Sequence, residues 1–387
     1  MDAKDAARSA VDAAREGVVD LSHRIHAHPE VGFEEVRASA WVAEALAAAG
    51  FAVEHGCYGL DTAVSAVAGS GPLHLTICAE YDCLPGIGHA CGHNVIAAAA
   101  VGAALALAPL ADDLGVTVRV LGTPAEEGGG GKILMLEQGA FAGTHAAMMV
   151  HPSPTESDRM HCLAVSHLKV DFHGKSAHAS AFPHLGRNAA DAITVAQTAI
   201  GLLRQHLEPG DQVHGIVSHG GDAPNIVPDL TSGVWYVRAP HLARLAEVEP
   251  RILRCFEAGA LATGCTVDIT PECPPYSEMA TDEAMAALYR ANAEALGRTF
   301  EDEDRMGGGS TDMANVSLVV PTIHPMLGLG CYPVVNHQAE FAAACATPVA
   351  DQAAVDGALA MAWTCIDLAG DEVQRRRLLG RGGAEPD

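Results

Sequence analysis

The segment Ala79–Asn94, with the sequence AEYDCLPGIGHACGHN, concentrates side chains that can bind metal ions directly after an apolar run. It contains a carboxylate (Asp82), a thiol (Cys91) and an imidazole (His93). One residue separates Cys91 from His93, so a backbone turn can direct both side chains to one point. Thiolate and imidazole are the ligands that a borderline-soft divalent cation prefers. The segment therefore predicts part of a metal centre, in which Asp82 accepts the outer N–H of His93 and fixes its ring.

Two structural interpretations of this segment stay open at the level of the residues alone. Cys83, Cys91 and His93 could hold one zinc ion that only stabilises the fold, although such sites usually carry paired Cys-x-x-Cys knuckles. Cys91 could instead be a buried free thiol beside a histidine that caps a helix. A third interpretation is a site in which two cations activate water for hydrolysis. It needs Cys91 to bridge the two cations, which a thiolate has enough lone pairs to do, and it needs further ligands from other segments of the chain.

A pair of adjacent carboxylates, Glu126 and Glu127, follows the apolar strand predicted at Val116–Leu121. Adjacent carboxylates repel each other unless a cation lies between them. One of them can bind a metal ion while the other acts as general base on a metal-activated water. The alternative is an acidic first turn of the next helix. The glycines that follow do not form a P-loop, because Lys132 is followed by Ile133 instead of Ser or Thr.

Two histidines, His151 and His337, are further candidate ligands, although a lone histidine is more often structural. His151 directly follows a predicted strand, as do Asp82 and the pair Glu126–Glu127. In open α/β sheets, ligands bind beyond the carboxyl ends of the strands. Three strand ends that carry ligand-type side chains therefore predict one shared site.

The order of apolar segments predicts a two-domain α/β protein. Short strands alternate with Ala-rich or amphipathic helices over 1–165 and again over 276–387, which is typical of a doubly wound mixed sheet. Residues 166–275 instead follow the order β-α-β-β-α-β of a ferredoxin-like α+β domain. We therefore expect a catalytic domain in two segments and an inserted second domain.

Composition excludes some classes of partner. The 387 residues carry a net charge of −25, which argues against nucleic acid and against an anionic membrane surface as partners. No apolar run of ~18 residues resembles a membrane span, since the Ala-rich stretch after His93 is better explained as a buried helix. Eleven cysteines without framework spacing indicate a reduced, cytoplasmic protein.

Several motifs occur in order along nearly the whole chain and match one family. They are HAHPEVGFE from His26, the segment Ala79–Asn94, GTPAEEGGGG, HGKSAHAS from His173, NIVPD from Asn225, GSTDM from Gly309, and His337 with Glu340-Phe341. Together they resemble metallopeptidase family twenty, the aminoacylase–carboxypeptidase clan of dinuclear metallohydrolases. The resemblance is strongest to its amidohydrolase branch, near p-aminobenzoyl-glutamate hydrolases and dipeptidase-like members.

The resemblance implies a centre of two divalent cations, zinc or manganese, with cobalt or nickel as alternatives. It also implies that Glu126 is the general base and that Asp82 supports catalysis by orienting His93. The implied metal ligands are Cys91 as the bridge, His93 and His151 on one ion, and Glu127 and His337 on the other.

The resemblance further implies substrate-binding residues. His178 and Asn225 would reach the substrate from the inserted domain, His178 acting on the scissile carbonyl, and Arg238 would bind a carboxylate. A loop of Gly309, Ser310 and Thr311 would lie near the same groups. From the residues alone, surface hydrogen bonding is the better explanation of the inserted-domain motifs.

The implied activity is hydrolysis of the amide bond of an N-acyl- or aminoacyl-amino acid, such as a p-aminobenzoyl-glutamate-like conjugate or a dipeptide. A homodimer through the inserted domain is also expected. Many relatives carry Asp where Asn94 stands, and Asn points to the p-aminobenzoyl-glutamate hydrolase and dipeptidase-like subgroup. The alternative is a non-catalytic subunit or metal-binding protein that retains the hydrolase fold.

Overall fold

The computed structural model describes residues 2–300 and 309–380, and the chain divides into two compact units. Unit 1 takes in the chain up to His161 and from Met279 onward, and unit 2 is Cys162–Glu278. The domain boundaries predicted from the sequence, 165/166 and 275/276, lie within a few residues of these divisions.

Unit 1 is built on a mixed sheet. Numbered along the whole chain, its strands are β1 (Ala52–His55), β2 (Val64–Ala68), β3 (Leu73–Glu80), β4 (Val116–Thr123), β5 (Ala146–Met148) and β11 (Thr322–Ile323). They lie in the order β1-β2-β4-β3-β5-β11. Strands β4, β3, β5 and β11 are parallel to one another. Strand β2 is antiparallel to both of its neighbours, β1 and β4. A short parallel pair, β6 (His151–Ser153) with β12 (Met326–Gly328), completes the strands of this unit.

Helices cover both faces of the six-stranded sheet. They are α1 (Ala3–Ala27), α2 (Val36–Ala48), α3 (His93–Leu107), α4 (Ala111–Leu114), α5 (Gly131–Glu137), α8 (Glu283–Ala295), α9 (Met313–Ser317), α10 (Ala339–Ala344), α11 (Pro348–Gly370) and α12 (Glu372–Leu379). Alternate strand residues point to opposite faces. Ile77 and Val120 join the core under α1, α3 and α11, whereas Cys78 and Leu121 join the core under α5 and α9. The predicted doubly wound fold is confirmed.

Unit 2 has the predicted order of elements. Its elements are β7 (Ala164–His173), α6 (Ala189–Leu203), β8 (Gln212–His219), β9 (Leu230–Ala239), α7 (Leu242–Thr263) and β10 (Thr266–Pro271). The four strands form an antiparallel sheet in the order β10-β7-β9-β8. Its core contains Trp235 and Phe256, whose ring centroids lie 5.0 Å apart.

Two helical stretches, His93–Leu114 and Pro348–Gly370, are long and apolar enough to cross a membrane. Their most apolar windows are 78% and 83% buried inside the protein, respectively. Both stretches belong to the core of unit 1, where small side chains let α3 and α11 pack closely.

Candidate metal centre

The His93 imidazole is fixed by Asp82, as predicted. His93 begins α3 directly after Gly92, which adopts a left-handed conformation with φ 77°. Its Nδ1–H donates to Asp82 Oδ1 over 2.9 Å, which leaves Nε2 as the nitrogen that can bind a cation. Asp82 Oδ2 accepts the backbone N–H of Glu127 at 3.0 Å. One carboxylate thus orients two of the predicted ligands.

The five predicted ligands converge on Cys91. The ligand atoms of Cys91, His93 and His151 all lie within 4.8 Å of one another, and so do those of Cys91, Glu127 and His337. Cys91 Sγ is 3.1 Å from His337 Nε2. The two triads share the thiol, which is the arrangement required of a ligand that bridges two cations.

Two of these ligands are held by backbone geometry. The Nδ1–H of His151 donates to the Pro152 carbonyl over 2.8 Å, so its Nε2 is free to face the triad. His337 has a φ of 69°, a left-handed conformation that non-glycine residues seldom adopt outside functional sites. The backbone N–H of His337 donates to the Ala90 carbonyl at 2.9 Å, which ties His337 to the loop carrying Cys91.

The adjacent carboxylates face the same point. An oxygen of Glu126 and one of Glu127 each lie 3.7 Å from His93 Nε2, and a second Glu127 oxygen lies 3.9 Å from His337 Nε2. Ala125, immediately before them, has a φ of 56°, and its N–H donates to buried Glu35 over 2.8 Å. This strained turn directs both glutamates inward instead of leaving them in an exposed first helical turn.

The buried, negatively charged environment of the centre favours bound cations. Burial raises the pKa of Cys91 well above its ordinary value, and the negative charges of Glu127 and Glu126 raise it further. Burial, followed by the charges of Glu80 and Glu127, likewise raises the pKa of Glu126. Buried His93 Nε2 and Glu127 Oε1 have no hydrogen-bond partner among the described residues. Divalent cations would satisfy these atoms and offset the repulsion, so the residues fit a metal centre.

Sequence analysis missed four fully buried polar residues near this centre: Glu80, Lys132, Asp312 and His324. Lys132 Nζ lies 2.5 Å from Glu80 Oε1 and 2.7 Å from Asp312 Oδ1. The His324 ring stacks on that of His151 with centroids 5.4 Å apart, and burial lowers its pKa to about 4. Glu80 ends β3, so the strand-end rule could have found it, whereas His324 follows β11, a strand of only two residues.

The predicted loop of Gly309, Ser310 and Thr311 lies in unit 1, before α9. Thr311 is buried, and its hydroxyl accepts the backbone N–H of Met313 at 3.2 Å. None of the three belongs to the ligand triads. Their neighbour Asp312 is the residue that connects this loop to Lys132.

The other predicted substrate residues belong to unit 2. His178 is exposed, and its Nδ1 accepts the backbone N–H of Ala181 at 3.2 Å, so its proton resides on Nε2. The carbonyl of Asn225 accepts the N–H of Ala179, which brings the His178 and Asn225 segments together. Arg238 on β9 is half-buried, and its Nε donates to His214 Nε2 at 3.1 Å. Burial lowers the pKa of Arg238.

The chain is similar to known proteins over most of its length. Residues 77–349 match the family described as Peptidase family M20/M25/M40. The chain is 39% identical to the Xaa-Arg dipeptidase of Mus musculus, over 94% of this chain and 88% of that protein. It is 33% identical to one of the subunits of the p-aminobenzoyl-glutamate hydrolase of Escherichia coli, over 73% of this chain and 63% of that one. The crystal structure of the YXEP protein of Bacillus subtilis, a dinuclear metal binding peptidase from the M20 family, superposes with a TM-score of 0.63 at 22% identity, covering 90% of this chain and 98% of that one.

The chain belongs to peptidase family M20/M25/M40, as the resemblance implied. It is a metal-dependent hydrolase that acts on amide or peptide bonds. The alternative of a non-catalytic metal-binding protein finds no support among these relatives, which are hydrolases.

Proposed function

We propose that this protein is a dinuclear metallodipeptidase. One ion would be bound by His93 and His151, the other by Glu127 and His337, and Cys91 would be shared between them. The observation that carries the proposal is that two ligand triads converge on one buried thiol. Nitrogen and sulfur ligands favour zinc, whereas the nearby carboxylates also suit manganese.

Glu126 is the proposed general base. When bound, the two cations would lower the pKa of water and polarise the scissile carbonyl. Glu126 lies within 3.7 Å of His93 Nε2 and can take the proton of the attacking water, then return it to the leaving amine.

His178 is the proposed donor to the oxygen of the scissile carbonyl. Because its Nδ1 accepts a backbone N–H, the ring presents an Nε2–H that can stabilise the developing negative charge. Asn225 and Arg238 are proposed to bind the polar backbone and the carboxylate of the substrate, in keeping with the donors that each side chain carries.

We propose a dipeptide with a basic C-terminal residue as the substrate. The support is the identity to the Xaa-Arg dipeptidase of Mus musculus over nearly the whole chain. The net charge of −25 also favours attraction of a cationic substrate. A cavity of about 260 Å³ adjoins Asp82 and Glu127 and offers space beside the ions, with Val31, Phe33 and Pro85 as apolar walls.

A second candidate substrate is an acyl-glutamate such as p-aminobenzoyl-glutamate. It is favoured by the similarity to the p-aminobenzoyl-glutamate hydrolase of Escherichia coli, over a shorter part of the chain. The two candidates differ in the charge of the released amino acid, so one assay separates them.

The substrate test is a hydrolysis panel with zinc, manganese or cobalt added back to chelated protein. It compares dipeptides that share one N-terminal residue and end in Arg, Leu or Glu, together with p-aminobenzoyl-glutamate. We expect the highest kcat/KM for the Arg dipeptide, and a decrease with added salt because charge attraction is screened. A preference for p-aminobenzoyl-glutamate would favour the second candidate, and no hydrolysis with any metal would overturn both.

The two-ion proposal is tested by counting metals in purified Cys91→Ala. Removing the shared thiol should leave fewer than two ions per chain, whereas the wild type should hold two. The matched control is Cys365→Ala, since Cys365 is an equally buried free thiol in the α11 core. Two firmly bound ions in Cys91→Ala would refute the bridge.

We further propose a homodimer through unit 2 and a cytoplasmic location. Strand β8 lies at an edge of the unit 2 sheet and exposes Ile216, as a strand that pairs with a second copy would. All eleven cysteines are free thiols, and a thiol that binds metal must stay reduced.

A further inference from the structure

Glu80 lies beside the proposed metal centre but is not one of its five proposed ligands. It is the last residue of β3, its side chain is fully buried, and its Oε2 is 3.5 Å from His93 Nε2. Glu80, His93 and Glu126 form a third group whose ligand atoms lie within 4.8 Å of one another. The nitrogen nearest Glu80 is the one that Asp82 leaves free for a cation.

The separation of these atoms is that of two ligands on one ion. Zinc binds nitrogen and oxygen ligands at about 2.1 Å, so two such atoms on one tetrahedral ion lie about 3.4 Å apart. The Glu80 oxygen lies 3.5 Å from His93 Nε2, which is close to this value.

Lys132 and Asp312 hold the Glu80 carboxylate in place. Lys132 Nζ contacts Glu80 Oε1 at 2.5 Å and Asp312 Oδ1 at 2.7 Å, while Asp312 Oδ2 accepts the Lys132 backbone N–H at 2.8 Å. All three side chains are fully buried. With Oε1 of Glu80 directed to Lys132, Oε2 faces His93.

The buried charges of this group do not balance without a further cation. One ammonium serves two carboxylates, and Glu80 Oε2 accepts no hydrogen bond from any described residue. A buried carboxylate oxygen without a partner is costly, so a sequence that keeps one there implies a ligand. The free nitrogen of His93 beside it identifies the ligand as a metal ion.

We propose that Glu80 is a further metal-binding residue of this centre, which binds the ion of His93 through Oε2, while Lys132 and Asp312 position it. The inference rests on the proposed two-ion centre. It adds a carboxylate to the ion otherwise held by His93, His151 and the shared thiol.

The test is the metal affinity of Glu80→Gln, measured by competition with a chromophoric chelator together with the number of ions per chain. This variant should fold, because Lys132 keeps Asp312 as a one-to-one partner. The matched control is Glu156→Gln, which removes another buried carboxylate of unit 1 from an ion pair, here with Arg298 at 2.6 Å. Thermal unfolding of the metal-free proteins measures the structural cost of each change.

We expect Glu80→Gln to bind one of two ions at least about tenfold more weakly, with the second ion and the Glu156→Gln control unaffected. Wild-type affinity for both ions in Glu80→Gln would overturn the inference and leave the two-ion centre standing. Absence of two ions in the wild type would instead overturn the proposed centre. If Glu80→Gln does not fold, Glu80→Asp keeps the charge but shortens the reach, and wild-type affinity in that variant would equally refute the proposal.

Discussion

The orientation of the imidazoles determines what this centre can bind. His93 donates from Nδ1 to Asp82, and His151 donates from Nδ1 to the Pro152 carbonyl. Each bond assigns the proton to one nitrogen and leaves Nε2 as a lone-pair donor directed at the shared thiol. Both rings are therefore held with Nε2 turned toward the position of the proposed ions, an orientation that favours binding.

The role of Glu126 gives a prediction at the scale of one residue. Glu126→Gln replaces the carboxylate with an amide of the same shape that cannot accept the proton of water. We expect the metal content to be retained and kcat to decrease by about 100-fold to 10,000-fold. Elemental analysis and steady-state kinetics on the same preparation measure both. Wild-type turnover with normal metal content would exclude Glu126 as the base.

At the scale of elements, the start of α2 supports the turn that directs Glu126 and Glu127 inward. Glu35 precedes α2 and is fully buried; it accepts the N–H of Ala125 at 2.8 Å and the hydroxyl of Thr62 at 2.8 Å. Burial, followed by the charge of Asp82, raises the pKa of Glu35 from 4.5 to about 7. A neutral Glu35 thus stabilises the turn, because a buried charge would add to the negative centre.

This raised pKa predicts a pH dependence of stability. Between pH 4.5 and about 7, folded Glu35 keeps a proton that the unfolded chain has released, so raising the pH favours unfolding. Glu35→Gln keeps one oxygen that can accept the N–H of Ala125, its NH2 group can donate to the Thr62 hydroxyl, and it has no proton to lose. We expect the unfolding free energy of the metal-free wild type, relative to Glu35→Gln, to decrease by about 1–3 kcal/mol across this range and then level off. Urea titrations of both proteins at several pH values measure this difference. A difference in unfolding free energy that stays constant with pH would contradict the prediction.

The close packing of α3 gives a second prediction for an element. A Cβ at Gly102 would lie 2.8 Å from Ala358 Cβ and 3.3 Å from Val18 Cγ2, so α1, α3 and α11 meet where there is no space for a side chain. We expect Gly102→Val to lower the unfolding free energy by about 1–3 kcal/mol or more. The control is Gly17→Val in α1, where no atom lies within 4 Å. If Gly17→Val lowered the unfolding free energy by as much, the effect would come from helix propensity instead of packing.

At the scale of the whole molecule, the proposed homodimer gives a prediction about the exposed edge of unit 2. Ile216 on β8 is 67% exposed, which is unfavourable for an edge strand of an isolated chain. We expect the wild type to be a dimer and Ile216→Glu a monomer in light scattering after size exclusion. Leu261→Glu is the matched control, because Leu261 on α7 is 86% exposed but lies outside β8. A dimeric Ile216→Glu would place the interface elsewhere.

The sequence by itself determined the fold class and most of the candidate residues of the proposed centre. Strand periodicity located β3, β4 and the strand near His151, and the side chains that follow them, Asp82 and Glu126–Glu127, are local features of the chain. Sequence patterns report such features well, because the end of a strand and the residue after it are set by neighbouring residues. The convergence of these strand ends could therefore be predicted, whereas His337 entered the predicted set of ligands only through the family resemblance.

Only the tertiary structure decided which buried groups neutralise one another. Lys132 and Asp312 are 180 positions apart in sequence, and their contact with Glu80 depends on how the end of β3, the start of α5 and the start of α9 pack together. His324 follows a strand of two residues, too short for sequence periodicity to locate. The physical reason is that pairing of buried charges is set by distances across the sheet edge, which local spacing does not encode. The same contacts place Glu80 beside His93, and this position led to the inference of a further metal ligand.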